Sequence, residues 1–274
     1  MLVGQPITSQ LVVVVTPLTS GQSGVVVDFG TGQEIPLTPV SPTTYAAGPQ
    51  SLYGIWDWDM SNWNSLSHMA LAAVTEPFPL TQTPKWVQAS NLATQTVSVV
   101  TPTGSSTSYE TDTNNPVCWY GMTGIAGCTS YNQFGWTISL PNTTTSGTTT
   151  NYEQVIYNPS VWQGVFQINT TIPSGSTIFS CTIELPSGYT MLINPTTGGG
   201  YTSSPFLDGS GNPITVGGVA VSGVQTGGTG TITNISAGGN NFWLTDTSNG
   251  TQTSGAEQAE GASTGHRVTW SQLR

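Results

Sequence analysis

The segment Trp119-Tyr120-Gly121-Met122-Thr123-Gly124, followed by Gln133-Phe134-Gly135, carries the clearest structural signal in the chain. Glycines mark turns on both sides of Gln133, and apolar residues then alternate at Trp136, Ile138 and Leu140. Period-two alternation is typical of a strand with one buried face. The segment therefore predicts a turn-rich loop that leads into a strand, with a neutral amide at the mouth of the turn.

Gln133 is the chemically informative residue of this segment. An amide can donate a hydrogen bond to a developing oxyanion without carrying a charge, so it works equally well in acid and at neutral pH. The plainer interpretation is that Gln133 is a polar residue at the entrance of a hairpin. Spacing alone leaves both interpretations open.

Strand patterns continue along the rest of the chain. Apolar and polar residues alternate over residues 161–168 and 177–185, and Tyr189, Met191 and Ile193 continue the pattern after a turn. Successive alternating strands joined by short turns indicate an antiparallel β-sandwich. The Thr-rich and Gly-rich tracts at 143–150 and 198–200 predict surface loops.

The N-terminal part differs in pattern from the remainder. Apolar runs at residues 11–15 and 25–29 predict a β-hairpin, and a proline-rich stretch follows it. Ser61 can cap one short helix, whose apolar residues keep helical spacing up to Ala73. We therefore expect residues 1–80 to form a hairpin arm with a short helix, and residues 81–274 to form the sandwich.

Composition points to an acidic setting. Only 6% of the 274 residues are charged, against about 25% in ordinary soluble proteins. The basic residues are Lys85, Arg267, Arg274, His68 and His266. Once the carboxyl groups protonate below about pH 4, few charges remain to repel one another. This composition favours an extracellular, virion or cell-surface location in acid, and the lack of a basic patch argues against a nucleic-acid partner.

The cysteines fit an oxidising location in part. Cys118 and Cys128 bracket a short span and can close it with a disulfide, whereas alternation places Cys181 on an apolar strand face as a buried free thiol. Neither a metal site nor a cofactor is expected. No stretch is long enough to insert into a membrane, and Met1 opens no export signal. We expect either removal of a leader or release by lysis.

Four motifs together resemble the glutamic peptidases (eqolisins), which are acid endopeptidases with a concanavalin-like, jelly-roll type of two-sheet β-sandwich. The first is the Trp-x-Gly-x-x-Gly and Gln-x-Gly pair quoted above. The others are Tyr157-Asn158-Pro159, the turn at residues 172–178 and Asn194-Pro195-Thr196-Thr197-Gly198. The likeness covers residues 87–206, and the N-terminal part has no counterpart in it.

The resemblance implies a set of functional residues. Gln133 would stabilise the oxyanion, and Glu257 would act as general base on water, with Glu260 as its substitute. The peptide substrate would lie against Trp119, Tyr120, Trp136 and Tyr152. Two departures from the family pattern are that Gln258 stands in place of a Trp and Thr123 in place of an Asp.

Two further functions remain open. One is a non-catalytic, self-associating β-sandwich protein of a virion or cell-surface assembly. The other is a glycosidase that uses two of four carboxyl groups at catalytic spacing. The four are Asp57, Asp59, Glu153 and Glu257, and Asp57 and Asp59 lie in a Trp-rich segment that is itself a candidate sugar platform or cation site.

Overall fold

The computed structural model describes residues 4–36, 38, 43–66, 70–74, 87–146, 149–174, 185–227, 229–237, 240–247 and 252–257. Almost all regular structure in these ranges is β-strand, and the single α-helix among them is α1 (Ser61–Leu66). The strands are β1 (Val12–Thr19), β2 (Gln22–Gly30), β3 (Glu34–Ile35), β4 (Thr44–Tyr45), β5 (Ser51–Asp57), β6 (Ala93–Gln95), β7 (Val97–Val100), β8 (Tyr109–Asp112), β9 (Gly135–Ser139), β10 (Thr143–Ser146), β11 (Thr149–Tyr152), β12 (Ser160–Trp162), β13 (Val165–Asn169), β14 (Gly188–Ile193), β15 (Phe206–Leu207), β16 (Thr215–Val216), β17 (Val219–Ala220), β18 (Gly223–Thr226), β19 (Gly230–Ala237), β20 (Asn240–Thr247) and β21 (Gln252–Glu257).

Three larger sheets build the molecule. The front sheet has the order β1-β2-β5-β9-β6, the middle sheet β12-β13-β14-β18-β8-β7, and the back sheet β15-β21-β20-β19. Neighbouring strands in these sheets are antiparallel, apart from the parallel pair β6 and β9. The expected all-β antiparallel sandwich is confirmed, and the back sheet adds a further layer behind it.

Alternation along β13 shows how the layers stack. Phe166 and Ile168 point into the main core, which the front and middle sheets share. Val165 points the opposite way, into a second core with Phe206 and Trp243 of the back-sheet side. Because successive side chains of a strand point to opposite faces, the middle sheet is covered on both faces.

The N-terminal hairpin is confirmed, but it is not an arm. Strand β2 pairs with β5 from Val25 to Gly30, and β5 pairs in turn with β9. Val26 and Leu52 lie in the same core as Trp136. The boundary expected at residue 80 therefore does not separate two cores, because the hairpin needs the β9 region to bury its inner face.

The helix is shorter than its pattern predicts. It ends at Leu66, which is 87% exposed, and residues 70–74 are not helical. The Asn64 amide donates to the Leu71 carbonyl (2.7 Å), and its Oδ1 accepts from the Leu71 N–H (2.9 Å). Leu71 then bridges to Ser23 and packs on Val25. These contacts with the sheet bury Leu71. A longer helix on the exposed surface would leave this side chain in solvent.

Three local expectations were wrong. Residues 161–168 are two strands rather than one, because Gln163 (φ 48°) and Gly164 (φ 84°) form a tight turn between Trp162 and Val165. Residues 143–146 and 149–150 belong to the ribbon β10–β11 rather than to a loop. Residues 198–200 are buried, and a Cβ at Gly198 would lie 2.2 Å from Cε3 of Trp136.

The expected disulfide between Cys118 and Cys128 is present, with the two Cα atoms 5.5 Å apart. It closes the loop that ends at Gln133 and precedes β9. Cys181 and Glu260 lie outside the described residues, so the interpretation of Cys181 as a buried thiol stays a prediction.

Gly54 lies at a closely packed point of the main core, where a substitution can test the packing. A Cβ at this position would lie 2.1 Å from Nε1 of Trp136 and 2.5 Å from Oδ1 of Asp28. The Trp136 indole cannot move away freely because its N–H donates to the Pro195 carbonyl (2.9 Å). We expect Gly54→Ala to lower the free energy of unfolding by about 2 kcal/mol or more, measured by urea unfolding at pH 4.

Gly209→Ala is the matched control, because nothing lies within 4 Å of a Cβ added there. This variant should stay within about 0.5 kcal/mol of the wild type. Equal stabilities of the two variants would show that the contact between Trp136 and Gly54 is not as tight as described.

Candidate functional site

Gln133 is held in place by the disulfide loop. Its side-chain Oε1 accepts a hydrogen bond from the Cys118 N–H (2.6 Å), and its backbone N–H donates to the Cys118 carbonyl (3.0 Å). The Tyr120 N–H donates to the Gln133 carbonyl (2.8 Å). The side chain is half-buried. Gln133 therefore has a local structural role, because its hydrogen bonds join the Cys118–Tyr120 segment to the residues that precede β9.

The four residues expected to line a peptide cleft do not form one together. Trp119 and Trp136 are buried in the main core, so neither ring is available to a bound chain. Tyr120 is half-buried and stacks on Phe134 at 5.0 Å. Tyr152 belongs to the separate ribbon β10–β11. Large aromatic side chains more often fill a core than bind a ligand. Trp119 and Trp136 follow this rule.

Glu257 lies at the end of β21, buried between the back and middle sheets. Its Oε2 accepts from Nε2 of Gln167 (2.9 Å), and its Oε1 is buried without a hydrogen-bond partner. Gln167 is itself fixed, because its Oε1 accepts from Asn234 (2.7 Å) and Ser160 (3.2 Å). Burial raises the pKa of Glu257 to about 7, against a smaller opposing effect of the Gln167 amide.

The structure does not bring Gln133 and Glu257 together. Gln133 adjoins Trp119 and Phe134 on the main-core side, whereas Glu257 contacts Gln167 on the opposite face of the middle sheet. The amide beside Glu257 is that of Gln167, a residue that the sequence motifs did not single out. No spacing signal marks Gln167, because it lies among ordinary alternating positions of a strand.

A second pair of carboxyl groups, Glu110 and Glu153, lies in the main core; the sequence analysis named Glu153 as a glycosidase candidate but singled out neither Glu110 nor the pairing. Nδ2 of Asn142 donates to both Glu110 (2.9 Å) and Glu153 (2.7 Å). Glu153 also accepts from the Asn142 N–H and from the Thr170 hydroxyl. Oε2 of Glu110 is buried without a partner. Neutral donors therefore satisfy Glu153 fully and Glu110 only in part.

Burial governs the titration of this pair. It raises the pKa of Glu110 well above the usual value, and repulsion from Glu153 raises it further. Burial also raises the pKa of Glu153, although its hydrogen bonds to Thr170 and Asn142 oppose the change. Tyr189 faces the same cluster, where burial and the neighbouring Glu110 and Glu153 raise its pKa to about 12. Only one of the two carboxyl groups can easily carry a charge.

Asp28 and Asp112 complete the set of buried acids. Asp28 points from β2 into the main core, and neither of its carboxyl oxygens has a hydrogen-bond partner, so burial raises its pKa well above the usual value. Burial also raises the pKa of Asp112 to about 8, against a smaller effect of the Thr113 backbone. None of the described residues is Lys, Arg or His. These acids are therefore compatible with burial chiefly as neutral carboxyl groups.

The four carboxyl groups considered for a glycosidase lie in three places. Asp57 and Asp59 are exposed neighbours, and Oδ1 of Asp57 accepts from the Asp59 N–H at 3.3 Å. Glu153 lies in the main core and Glu257 in the other interface.

The described part of the chain holds no cluster of three or more His, Cys, Asp or Glu side chains suited to a metal ion. Within the same ranges no helix has the length and apolar character needed to cross a bilayer.

Comparison with known proteins identifies a fold and no family. No protein-family model matches the chain, and no curated protein matches it. Among solved structures it is similar to the C-terminal domain of PilY1 from Pseudomonas aeruginosa, with a TM-score of 0.58 and 21% sequence identity. The alignment covers 94% of this chain and 45% of that chain. At this identity the likeness supports the all-β fold alone.

The buried acids predict that the protein is more stable in acid than at neutral pH. A carboxyl group whose pKa is raised in the folded state binds its proton more tightly there than in the unfolded chain. Stability is therefore full below about pH 4 and falls as the pH rises towards 7–8, the range of Glu257 and Asp112. Each pH unit in that interval costs about 1.4 kcal/mol per buried group.

We expect the melting temperature, measured by calorimetry, to fall by about 10 °C or more between pH 4 and pH 8. Asp112→Asn and Glu257→Gln should each flatten the decline, because each removes one ionisation. Asp59→Asn, at an exposed position, should leave the slope unchanged. A melting temperature that rises from pH 4 to pH 8 would contradict the assignment of neutral buried acids.

Proposed function

We propose that this protein is a non-catalytic structural component of a cell-surface or virion assembly that works in acid. The single observation that carries the proposal is the set of five buried carboxyl groups that have no cationic partner among the described residues. They are Asp28, Glu110, Asp112, Glu153 and Glu257. A fold that buries neutral acids gains stability where carboxyl groups are protonated, and loses it at neutral pH.

The surface is consistent with the same setting. Exposed polarity depends on hydroxyl and amide side chains, since charged residues make up only 6% of the chain. Such groups stay hydrated at any pH, and they add no repulsion when the carboxyl groups lose their charge. The disulfide between Cys118 and Cys128 also agrees with an oxidising, extracellular location.

The arrangement of the expected catalytic residues favours the structural proposal over an enzyme. A general base must reach a water molecule in an accessible groove. Glu257 is buried, and the amide that it contacts belongs to the buried Gln167 rather than to Gln133. Gln133 accepts from the Cys118 N–H through its Oε1 and lies on the main-core side of the middle sheet, whereas Glu257 contacts Gln167 on the other side.

One observation keeps an acid endopeptidase as the second candidate. Glu257 carries a raised pKa and touches the amide of Gln167 at 2.9 Å. A glutamic-type mechanism needs a protonatable carboxyl group next to an uncharged amide donor. In this candidate Gln167 takes the role first expected of Gln133, the substrate is a polypeptide, and the back and middle sheets separate at β21 to admit it.

The two candidates are separated by an activity assay with an unfolded protein substrate from pH 2 to pH 7. The structural proposal predicts no cleavage above the background of a heat-inactivated sample. The endopeptidase predicts cleavage that Glu257→Gln abolishes and that Gln167→Ala or Gln133→Ala lowers by about a hundredfold. Whichever glutamine variant loses activity identifies the oxyanion donor.

Asp59→Asn is the control, because it removes an exposed carboxyl group outside both interfaces. Melting temperatures at pH 4 must be measured for every variant, so that unfolding is not mistaken for lost chemistry. Cleavage by the wild type and the Asp59 variant, absent from a folded Glu257→Gln variant, would overturn the structural proposal.

A further inference from the structure

Strand β1 forms one end of the front sheet, so only one of its two backbone edges is paired. Its residues 12–19 pair with β2, and its backbone makes no hydrogen bond to another element of the described chain. Just before the strand, the Gln10 N–H donates to Oδ1 of Asn158 (2.9 Å). The free edge of β1 therefore presents a row of N–H and C=O groups that can accept a further strand.

The outer side chains of this edge are apolar. Leu11, Val13 and Val15 are 47%, 64% and 53% exposed. They occupy alternate positions and hence one face of the sheet, and Val12 and Val14 pack against the main core on the other face. An exposed apolar row beside an unpaired backbone edge is characteristic of a surface that binds another strand.

Among the described residues, the usual protections of an edge strand are missing over most of the length of β1. No residue from Gly4 to Val27 is charged, so no Lys or Glu blocks pairing. The irregularity of the strand lies at its far end, between Pro17 and Thr19. Residues 11–16 remain as a regular, uncharged segment.

The middle sheet ends at the same side of the molecule. Its edge strand β12 lies beside β1, and the Gln10 contact with Asn158 joins the two regions. A partner that docks on β1 therefore meets the ends of two sheets, which enlarges the contact beyond that of a single strand.

We propose that β1 pairs antiparallel with β1 of a second copy of this chain, so that the two front sheets become one continuous sheet across a two-fold axis. The inference deepens the proposed structural function, on which it rests, by naming the surface through which copies assemble.

Self-pairing is favoured by the symmetry of the edge. A two-fold axis pairs residue i of one strand with residue j of the other and j with i, so only the residue on the axis meets its own counterpart. A charged edge would therefore bring like charges together, and this edge has none. Across the axis the row Leu11, Val13, Val15 meets the same row in reverse order, so each exposed apolar side chain gains an apolar neighbour.

Sedimentation velocity of the full chain over a range of concentrations at pH 4 tests the proposal. We expect a reversible dimer or larger assembly for the wild type. Val13→Lys should weaken association at least tenfold, because two ammonium groups would meet near the axis, and Val15→Lys provides a second test if the first variant folds poorly. Val99→Lys is the matched control, since Val99 is 42% exposed on β7, at the opposite edge of the middle sheet.

Cysteine cross-linking supplies a direct readout of the register. Leu11→Cys, Val13→Cys and Val15→Cys are oxidised separately, and the parent chain gives the background from Cys181. One of the three should yield a disulfide-linked dimer through identical residues, whereas Val99→Cys should not exceed background.

The outcomes distinguish this proposal from the proposed function. A wild type that stays monomeric, or three cysteine variants that all remain at background, overturns β1 pairing. Assembly that Val13→Lys and Val15→Lys leave unchanged also overturns it, and leaves a structural function acting through another surface. The peptidase assay decides independently whether the protein is an enzyme.

Discussion

The exclusion of charge from the interior is the constraint on which the rest of this structure depends. An ionised carboxylate in an apolar core is strongly unfavourable unless a cation or several hydrogen-bond donors accompany it. The described part of the chain offers no cation. Glu153 is accommodated by Asn142 and Thr170, which are neutral donors. Neither carboxyl oxygen of Asp28 has a hydrogen-bond donor among the described residues, so the core favours its protonated form.

This constraint shapes both interfaces of the middle sheet. The Glu110 and Glu153 pair lies in the interface with the front sheet, and Glu257 lies in the interface with the back sheet. In the interface with the front sheet, the Asn142 amide joins Glu110 to Glu153. In the interface with the back sheet, the Gln167 amide joins Glu257 to Asn234. Amides serve this purpose at any pH because they are uncharged donors and acceptors. The polar contacts between the layers are therefore compatible with buried carboxyl groups in their neutral form.

The same arrangement explains why residues with catalytic potential carry structural roles here. A carboxyl group with a raised pKa is a recognised sign of an active site, but buried structural groups show the same shift. Glu257 has the shift and an amide neighbour, yet lies between two sheets. Gln133 is positioned by a disulfide loop and anchors that loop in return. Under the proposed structural function, the surfaces of this fold carry the function, and the uncharged edge of β1 is one such surface.

Sequence alone determined the features that depend on local pattern. Alternation in the residues that became β9 and β14 identified an all-β antiparallel fold, and the spacing of Cys118 and Cys128 identified the disulfide, because both signals lie within a short stretch of chain. Tertiary structure decided what distant residues do to each other. Gln167 and Asn169 are polar residues of β13, and hydrogen bonds to Glu257 and Thr245 of the back sheet make them interior. The expected helix stops short of Leu71 for a similar reason, since Leu71 is buried by its bridge to Ser23 and its packing on Val25. Which carboxyl groups are buried, and which amide each one meets, depends on how three sheets pack, and no local pattern in the chain encodes that packing.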